Sequence, residues 1–588
     1  MTSNQETAEL LKKVAAVFRV MEGDTFRVKA YNNAAVAIEN SAESVYELWQ
    51  QDMLDKVPGV GESLKEYLSE YFSKGKVKHF ESQFKKVPAG MFSLMEVRGI
   101  GPVTAYKISK KFKLDDPKTA IKDLKQILVN GDLSKIEGFK DKTALRIKKA
   151  LDIKTQAKTK RLLLSEAIQI ANEYIDYLNK SPLIVKAETL GSLRRKLSTV
   201  GDIDLAICSS KPSEAMDYVT SYPKIAGIVT KGETLSHVKL KNGYEVDIKH
   251  AYPVEWGSLL QHYTGSKMHN IALRTYALEK NKSLSEYGIK DTRGVHKFKD
   301  EKSFYNFLGM DYIPAEMRED KGEIELAKKR QIPKLIELSN IKGDLHIHSD
   351  FVFPSSHDLG DSKLSKILDF AIENKYEYIG ISDHNPKFSG LTQSAKKTII
   401  ESRKKFLLDQ FHAYEKSVKK CTVKLLIGME VDIRPDGELG LSDDLLEMLD
   451  YAIISIHSSF DLDREKNTRR IIAALNHPKA IILGHPTGRM LNSREPISAD
   501  WEKIFSFCKA NQKIIEINAS PARLDLPDDL IREAASKGNK FIINTDSHDV
   551  SQMNFMEYGV WQARRGWAKK KDVVNTFSYK DLRSMINL

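Results

Sequence analysis

From Thr7 to about Leu151 the apolar residues recur at helical spacing, interrupted by short Gly-containing breaks, and few stretches read as strands. Leu162–Asn179 reads as one long amphipathic helix. It leads into alternating segments, "AETLGS", "DIDLAIC" and "HVKLKNGYEVDIKHA", which predict strands of a mixed sheet. Leu259–Asp311 reads as a small mixed segment, and the charged, helix-like "REDKGEIELAKKRQIPKLI" reads as a link. A different rhythm then runs to the end: seven strand-like runs, "GDLHIHS", "YIGISDH", "KLLIGMEVDI", "YAIISIH", "AIILGHP", "KIIEINAS" and "FIINTDSH", most of them separated by helical stretches. Alternating strand and helix implies parallel strands with right-handed crossovers, hence a barrel or a doubly wound sheet. In six of the seven runs a His, Asp or Glu falls at or near the C-terminal end, where parallel α/β folds place their active sites.

At 588 residues the chain is too long for one core, and its 41% hydrophobic and 29% charged residues are those of an ordinary globular protein. No apolar run is long enough to cross a bilayer, and Met1–Glu9 is polar rather than a signal peptide. Cys208, Cys421 and Cys508 lie in apolar runs at no zinc-like spacing, so they are expected as buried thiols of a cytoplasmic protein. The net charge of +12 favours a polyanionic partner, and lysines crowd the stretch from Lys107 to Arg161. On its own that stretch reads equally as a solvated helical face.

Two motifs reverse that balance. "VPGVGESLKEYL" and "VRGIGPVTAYKIS" share a Gly-apolar-Gly turn between helices, Gly59/Gly61 and Gly99/Gly101. Such a turn presents backbone N–H groups to a phosphate, often beside a monovalent cation. This is the helix-hairpin-helix pattern, which grips a nucleic-acid backbone without reading sequence. "IEGFKDKTALRI" is a degenerate third copy by the same pattern. In "GSLRRKLSTVGDIDLAI", Asp202 and Asp204 alternate along a predicted strand and project from one face; Asp247 in "YEVDIK" supplies a third carboxylate on a neighbouring strand. Three carboxylates so placed suit the divalent cations of nucleotidyl transfer, Mg2+ or Mn2+. Gly191, Ser192 and Arg195 are placed for phosphate oxygens. An isolated Asp-Ile-Asp is an ordinary strand edge; joined to Gly-Ser and Arg-Arg it is a site.

At these residues, with Gly201, the chain resembles the family X DNA polymerases of the nucleotidyltransferase superfamily. The resemblance continues through "HYTGSKMHNIALR" and implies sugar contacts at Tyr263 and Gly265, a base contact at Asn270 and a template contact at Arg274. His262 stands where the family commonly has tyrosine, and Lys249 where it has arginine. Members related to DNA polymerase beta remove a 5′-deoxyribose phosphate through a lysine at the position occupied here by Tyr67; Lys65 lies on another face of the helix.

In the second half, His346 and His348 point the same way from one strand. The other strand ends supply His384, Glu430, His457, His485, Asp546 and His548. So many imidazole and carboxylate groups at one barrel mouth suit two to three Mn2+, Zn2+ or Fe ions and have no evident structural use. The set resembles the PHP (polymerase and histidinol phosphatase) superfamily, which implies a distorted seven-stranded barrel with a trinuclear centre and hydrolysis of phosphoesters. The aspartate that the family carries after its second histidine is displaced here. Asp358 is the preferred replacement, with His357 and Asp350 as alternatives. His412, in the lysine-rich helix "RKKFLLDQFHAYEKSVKK", is read as structural, and Arg489 and Arg523 as candidates for a substrate phosphate.

The expected architecture is multidomain. An all-α helix-hairpin-helix region (1–85 and a fingers-type 86–155) precedes an α/β nucleotidyltransferase palm (156–260) and a small α+β thumb (261–318). A linker (319–340) then leads to a distorted (β/α)7 PHP barrel (341–588). The expected activity is templated gap filling on gapped or nicked double-stranded DNA from dNTPs, by a monomer, with 3′-to-5′ trimming and abasic-site cleavage or 3′-phosphate removal by the barrel. Rival readings are a phosphoesterase that uses the polymerase half as a platform, a template-independent nucleotidyltransferase, and a non-catalytic DNA-binding scaffold.

Overall fold

The computed structural model describes residues 4–586 apart from 22–24, 40–44, 58, 96, 98–99, 137–146, 148–160, 354–358, 387, 389 and 419–420. Gly99, most of the third hairpin copy, His357 and Asp358 lie outside the described residues. The chain divides into two compact units, residues 1–160 with 240–244, and residues 161–239 with 245–588.

The first unit is helical. Its two hairpins are built alike: Val60 N–H donates to Val57 O (3.1 Å) and Ile100 N–H to Val97 O (3.0 Å). Gly61 and Gly101, both with extended backbone, then cap the helices Glu62–Lys74 (α1) and Pro102–Phe112 (α2). Leu64, Leu68 and Phe72 on α1, and Ala105 and Ile108 on α2, are buried; these are the i, i+3, i+4 positions that the apolar spacing marks. Among the described residues beyond their chain neighbours, no atom stands within 4 Å of where a Cβ would project from Gly61 or Gly101, so both turns are open on that side. Tyr67 is stacked on His79 at 5.0 Å, and Lys65 reaches Asp52 at 3.4 Å.

In the second unit, five strands form one sheet: Lys186–Thr189 (β1), Ile203–Cys208 (β2), Ile225–Lys231 (β3), Leu235–Leu240 (β4) and Glu245–Ala251 (β5), in the order β1-β2-β5-β4-β3. The central pair, β2 and β5, is parallel and its partners are antiparallel, which makes the expected mixed sheet. Helices Trp256–Thr264 (α3) and Lys267–Glu279 (α4), a three-stranded sheet and a helix at Glu301–Phe307 follow. The stretch expected as a linker is folded into this last part. It carries a helix at Glu323–Lys328, and Ile324, Ala327 and Leu335 join the core around Phe304 and Tyr305.

The remaining strands are Gly343–Ile347 (β6), Tyr378–Ile381 (β7), Lys424–Ile427 (β8), Met429–Asp432 (β9), Ala452–Ser455 (β10), Ala480–Leu483 (β11), Ile514–Asn518 (β12) and Lys540–Asn544 (β13). All their pairings are parallel. They make sheets of three and five strands. Parallel bridges His384↔Glu430 and Ile347↔Ser547 join these sheets into a distorted barrel. The run "KLLIGMEVDI" therefore spans two strands. It breaks at Gly428, where a Cβ would lie 2.4 Å from the Tyr451 ring. The inner positions are Ile, Val, Leu and Met at or near zero exposure, as strands covered on both faces require.

Candidate active sites

In the sheet of the second unit, register places Asp204 of β2 directly opposite Asp247 of β5. Strand β2 begins one residue after Asp202, because pairing with β5 starts at Ile203; Asp202 sits exposed in the bend before the strand rather than on it. The three carboxylates nevertheless share one field. Burial pushes the Asp204 carboxyl up to about 6; Asp247 and Asp202 add to the shift, and Lys249 and Arg195 oppose it. Such a carboxylate gains most from a cation. Asp247 also meets His237 of β4, its cross-strand neighbour, at 2.5 Å, and Lys249 at 3.7 Å. His237 carried no motif in the sequence; only its alternation within a predicted strand placed it on that face.

Gly191 closes the site from above. Its φ is +56°, and a Cβ there would lie 2.5 Å from Asp204 Oδ2, so the position requires glycine. The turn that follows is clamped to the segment after it. Arg194 donates to Thr264 Oγ1 (2.6 Å) and forms a two-pronged pair with Glu301 (3.1 and 2.7 Å), which Arg318 also contacts at 2.6 Å. Arg195 donates from Nε to Glu319 (2.9 Å) and from Nη1 to the carbonyl of Thr264 (2.5 Å). Ser192 is half-buried on the same turn, and Gly201 lies against Arg161. Tyr263 faces Lys249, whose ammonium stands 4.9 Å from the ring centre. Gly265 abuts the Arg195 guanidinium. Asn270 donates to the carbonyl of His262 (2.7 Å) and accepts from Gln261 (3.0 Å), which fixes its amide; Arg274 is exposed. Burial lowers the His262 imidazole, against the pull of Glu286 at 3.9 Å.

At the barrel mouth, Glu430 is fully buried among four imidazoles. It lies 2.8 Å from His384 Nδ1, 2.8 Å from His485 Nε2, 3.2 Å from His457 Nε2 and 3.3 Å from His346 Nε2. Asp546 lies 3.2 Å from His348 Nε2, and the His348 and His548 rings stack at 4.0 Å. Three overlapping groups have donor atoms within 4.8 Å of one another: His348, His384 and His548; His346, His348, Glu430 and Asp546; His384, Glu430 and His457. Among the described residues, Nδ1 of His348 and Nδ1 of His485 are buried without a hydrogen-bond partner. Imidazole and carboxylate groups gathered at this depth are donors that could hold metal ions.

The charges are correspondingly displaced. Burial alone would raise Glu430, but His384, His457 and His346 hold it well below the usual carboxylate range. Burial would likewise lower His346, yet Glu516, Asp546 and Glu430 hold it well above the ordinary imidazole value. Burial and the neighbouring His548 and His384 drive His348 well below it.

Outer carboxylates orient the rings: Glu516 accepts from His346 Nδ1 at 2.7 Å and Asp432 from His457 Nδ1 at 2.6 Å, which leaves both Nε2 atoms facing inward. Asp383 takes the N–H of Ser349 (2.5 Å) and Nε of the buried Arg403 (2.6 Å), tying the segment after His348 to the end of β7. Asp350 stands outside the three donor groups. Arg523 reaches toward Asp546 at 3.6 Å. Arg489 differs from expectation: it is turned to the carbonyls of Arg523 and Leu524 and serves the backbone. His412 is exposed on the helix Gln393–Ser417 (α5).

A carboxylate-bearing palm with a thumb, joined to a barrel rich in metal donors and preceded by helix-hairpin-helix turns, defines a multidomain enzyme of nucleic-acid phosphoesters. Family models match the helical regions, the thumb and the barrel. A helix-hairpin-helix domain matches residues 2–77, a SAM-like helix-hairpin-helix tandem 92–152, the DNA polymerase beta thumb 259–319 and the PHP domain 344–520. The chain is 32% identical over 584 residues to the DNA polymerase/3′-5′ exonuclease PolX of Bacillus subtilis, covering 98% of each. It is 24% identical over 349 residues to DNA polymerase lambda of Arabidopsis thaliana, covering 53% of this chain and 61% of the relative. A probable phosphatase of Clostridium acetobutylicum is 29% identical over 215 residues, 35% of this chain and 78% of the relative. The chain belongs to the family X DNA polymerases that carry a C-terminal PHP domain.

Proposed function

We propose that the chain fills short gaps in double-stranded DNA from dNTPs, as a repair polymerase, and trims 3′ ends with its barrel. The observation that carries this reading is that one chain carries two separate groups of candidate donors, the palm aspartates with Asp204 in register with Asp247, and the histidine–carboxylate mouth. A non-catalytic scaffold would need neither, and a phosphoesterase that used the polymerase half as a platform would not need the aspartates. Divalent cations held by the three aspartates supply charge neutralisation of a triphosphate and activation of a 3′-hydroxyl. The chain's own residues do the rest: Arg195 and Ser192 bind phosphate oxygens, Tyr263 and Gly265 face the sugar, and Arg274 is free to reach a template strand. The open turns at Gly61 and Gly101 grip the DNA backbone on either side of a gap. At the barrel mouth Arg523 orients the scissile phosphate over the metal donors.

The test is primer extension and end degradation on gapped DNA with Mg2+ or Mn2+. Asp202→Ala/Asp204→Ala loses extension alone, and His346→Ala/His348→Ala loses degradation alone. If both variants keep both activities, the two assignments are wrong.

A further inference from the structure

The barrel's late helix Met556–Arg565 (α6) lies against the turn that carries Arg195. Arg565 Nη1 donates to the backbone carbonyl of Arg195 (2.8 Å) and reaches Glu319 Oε1 (3.2 Å), the same oxygen that takes Arg195 Nε at 2.9 Å. Its Nη2 is anchored on Asp528 at 2.6 Å. Arg195 and Arg565 are 9% and 7% exposed, so this arrangement is screened little by solvent. One residue along, the Lys196 ammonium stands 4.0 Å from the ring centre of Trp561 on the same helix. Arg564 fixes the helix further through Glu316 at 2.6 Å.

We infer that α6 of the barrel sets the affinity of the polymerase site for its nucleoside triphosphate, with Arg565 as a positioning residue that acts through Glu319 on Arg195. The inference rests on the polymerase reading above. With two of its nitrogens committed to Glu319 and Thr264, Arg195 keeps Nη2 without a bond to the described residues. Glu319 alone would cancel the charge of Arg195. Arg565 shares that carboxylate, so Glu319 is divided between two guanidinium groups while Asp528 balances Arg565 on its other side, and the bond from Arg565 to the Arg195 carbonyl holds the turn that carries the guanidinium. Removing Arg565 hands Glu319 to Arg195 entirely.

Gap-filling kinetics on the full chain test this. Arg565→Met raises KM for dNTP about tenfold, the worth of one charge-assisted phosphate contact, while kcat and 3′-end degradation hold to within about twofold. Arg565→Lys, with charge but no fork, falls between. Adding Glu319→Gln to Arg565→Met restores the net charge and returns KM to within about threefold of wild type, a rescue that general destabilisation would not produce. Trp561→Leu raises KM about threefold by freeing Lys196 and serves should Arg565→Met not fold. A dNTP KM unchanged in whichever variant folds, or a double variant no better than Arg565→Met, overturns the inference while extension by the wild type persists. A wild type that incorporates no dNTP overturns the polymerase reading itself, and this inference with it.

Discussion

Replacing Gly191 by alanine separates the polymerase site from the rest of the molecule. The added Cβ would stand 2.5 Å from Asp204 Oδ2, about 1 Å short of van der Waals separation. The backbone cannot easily yield, because the turn behind it is held by Arg194 on Glu301 and by Arg195 on Glu319. The Asp204 carboxylate must therefore swing, and it is the residue paired in register with Asp247. Two costs follow and they differ in kind. Holding a non-glycine residue at φ +56° costs about 1–2 kcal/mol of stability, small beside the ~5–15 kcal/mol of an ordinary domain, so the protein stays folded. Misplacing a metal-binding carboxylate by about 1 Å costs on the order of a hundredfold in rate. Single-nucleotide incorporation on gapped DNA should thus fall about a hundredfold in Gly191→Ala, with kcat carrying the loss. The melting profile shifts by only a few degrees and end degradation is unchanged. Incorporation within about threefold of wild type would refute the argument that this glycine exists to let Asp204 approach.

Two further outcomes follow from buried charge. Glu516→Gln removes the carboxylate that holds His346 Nδ1, and the metal concentration for half-maximal end degradation should rise ~10–100-fold; an unchanged metal requirement would show that Glu516 does not orient the ligand. The pair of Arg194 and Arg318 with Glu301 stabilises the thumb in a pH-dependent way. Burial opposes ionisation of Glu301 but the two guanidinium groups outweigh it, lowering its carboxyl from 4.5 to about 2. A depressed folded value means that the stabilisation is complete above about 4.5 and is lost as pH falls toward 2. Glu301→Ala, which strands the buried Arg318 and the half-buried Arg194, should cost ~3–5 kcal/mol at neutral pH and flatten that acid limb in thermal melts; an acid limb as steep as wild type's would count against the pair.

The parts of the fold that hydropathy could reveal were those where burial is one-sided or complete. Strands β6 to β13 read as apolar runs because both faces are covered, and their polar ends stood out as ligands for the same reason. The first hairpin was readable because its turn holds Gly59 at φ +75°, where glycine is favoured. What escaped is of one kind: charged residues that burial turns into partners. Glu323 sits in a stretch whose charge suggested a solvated link, yet it is fully buried and bound to His269 at 2.6 Å, which draws 319–340 into the thumb. Glu516 lies within "KIIEINAS", where a lone carboxylate in an apolar strand names no partner; its partner, His346, is 170 residues away. Arg565 and Glu319 are 246 residues apart, and each alone reads as an exposed helix charge. Composition cannot distinguish a charge that faces water from one that faces its counterion, because the difference lies in the pairing and the pairing is long-range. The coupling proposed between α6 and Arg195 therefore belongs to the tertiary level. An isolated palm and thumb would keep all three aspartates in sequence and lose the charge balance that Arg565 brings to the nucleotide site.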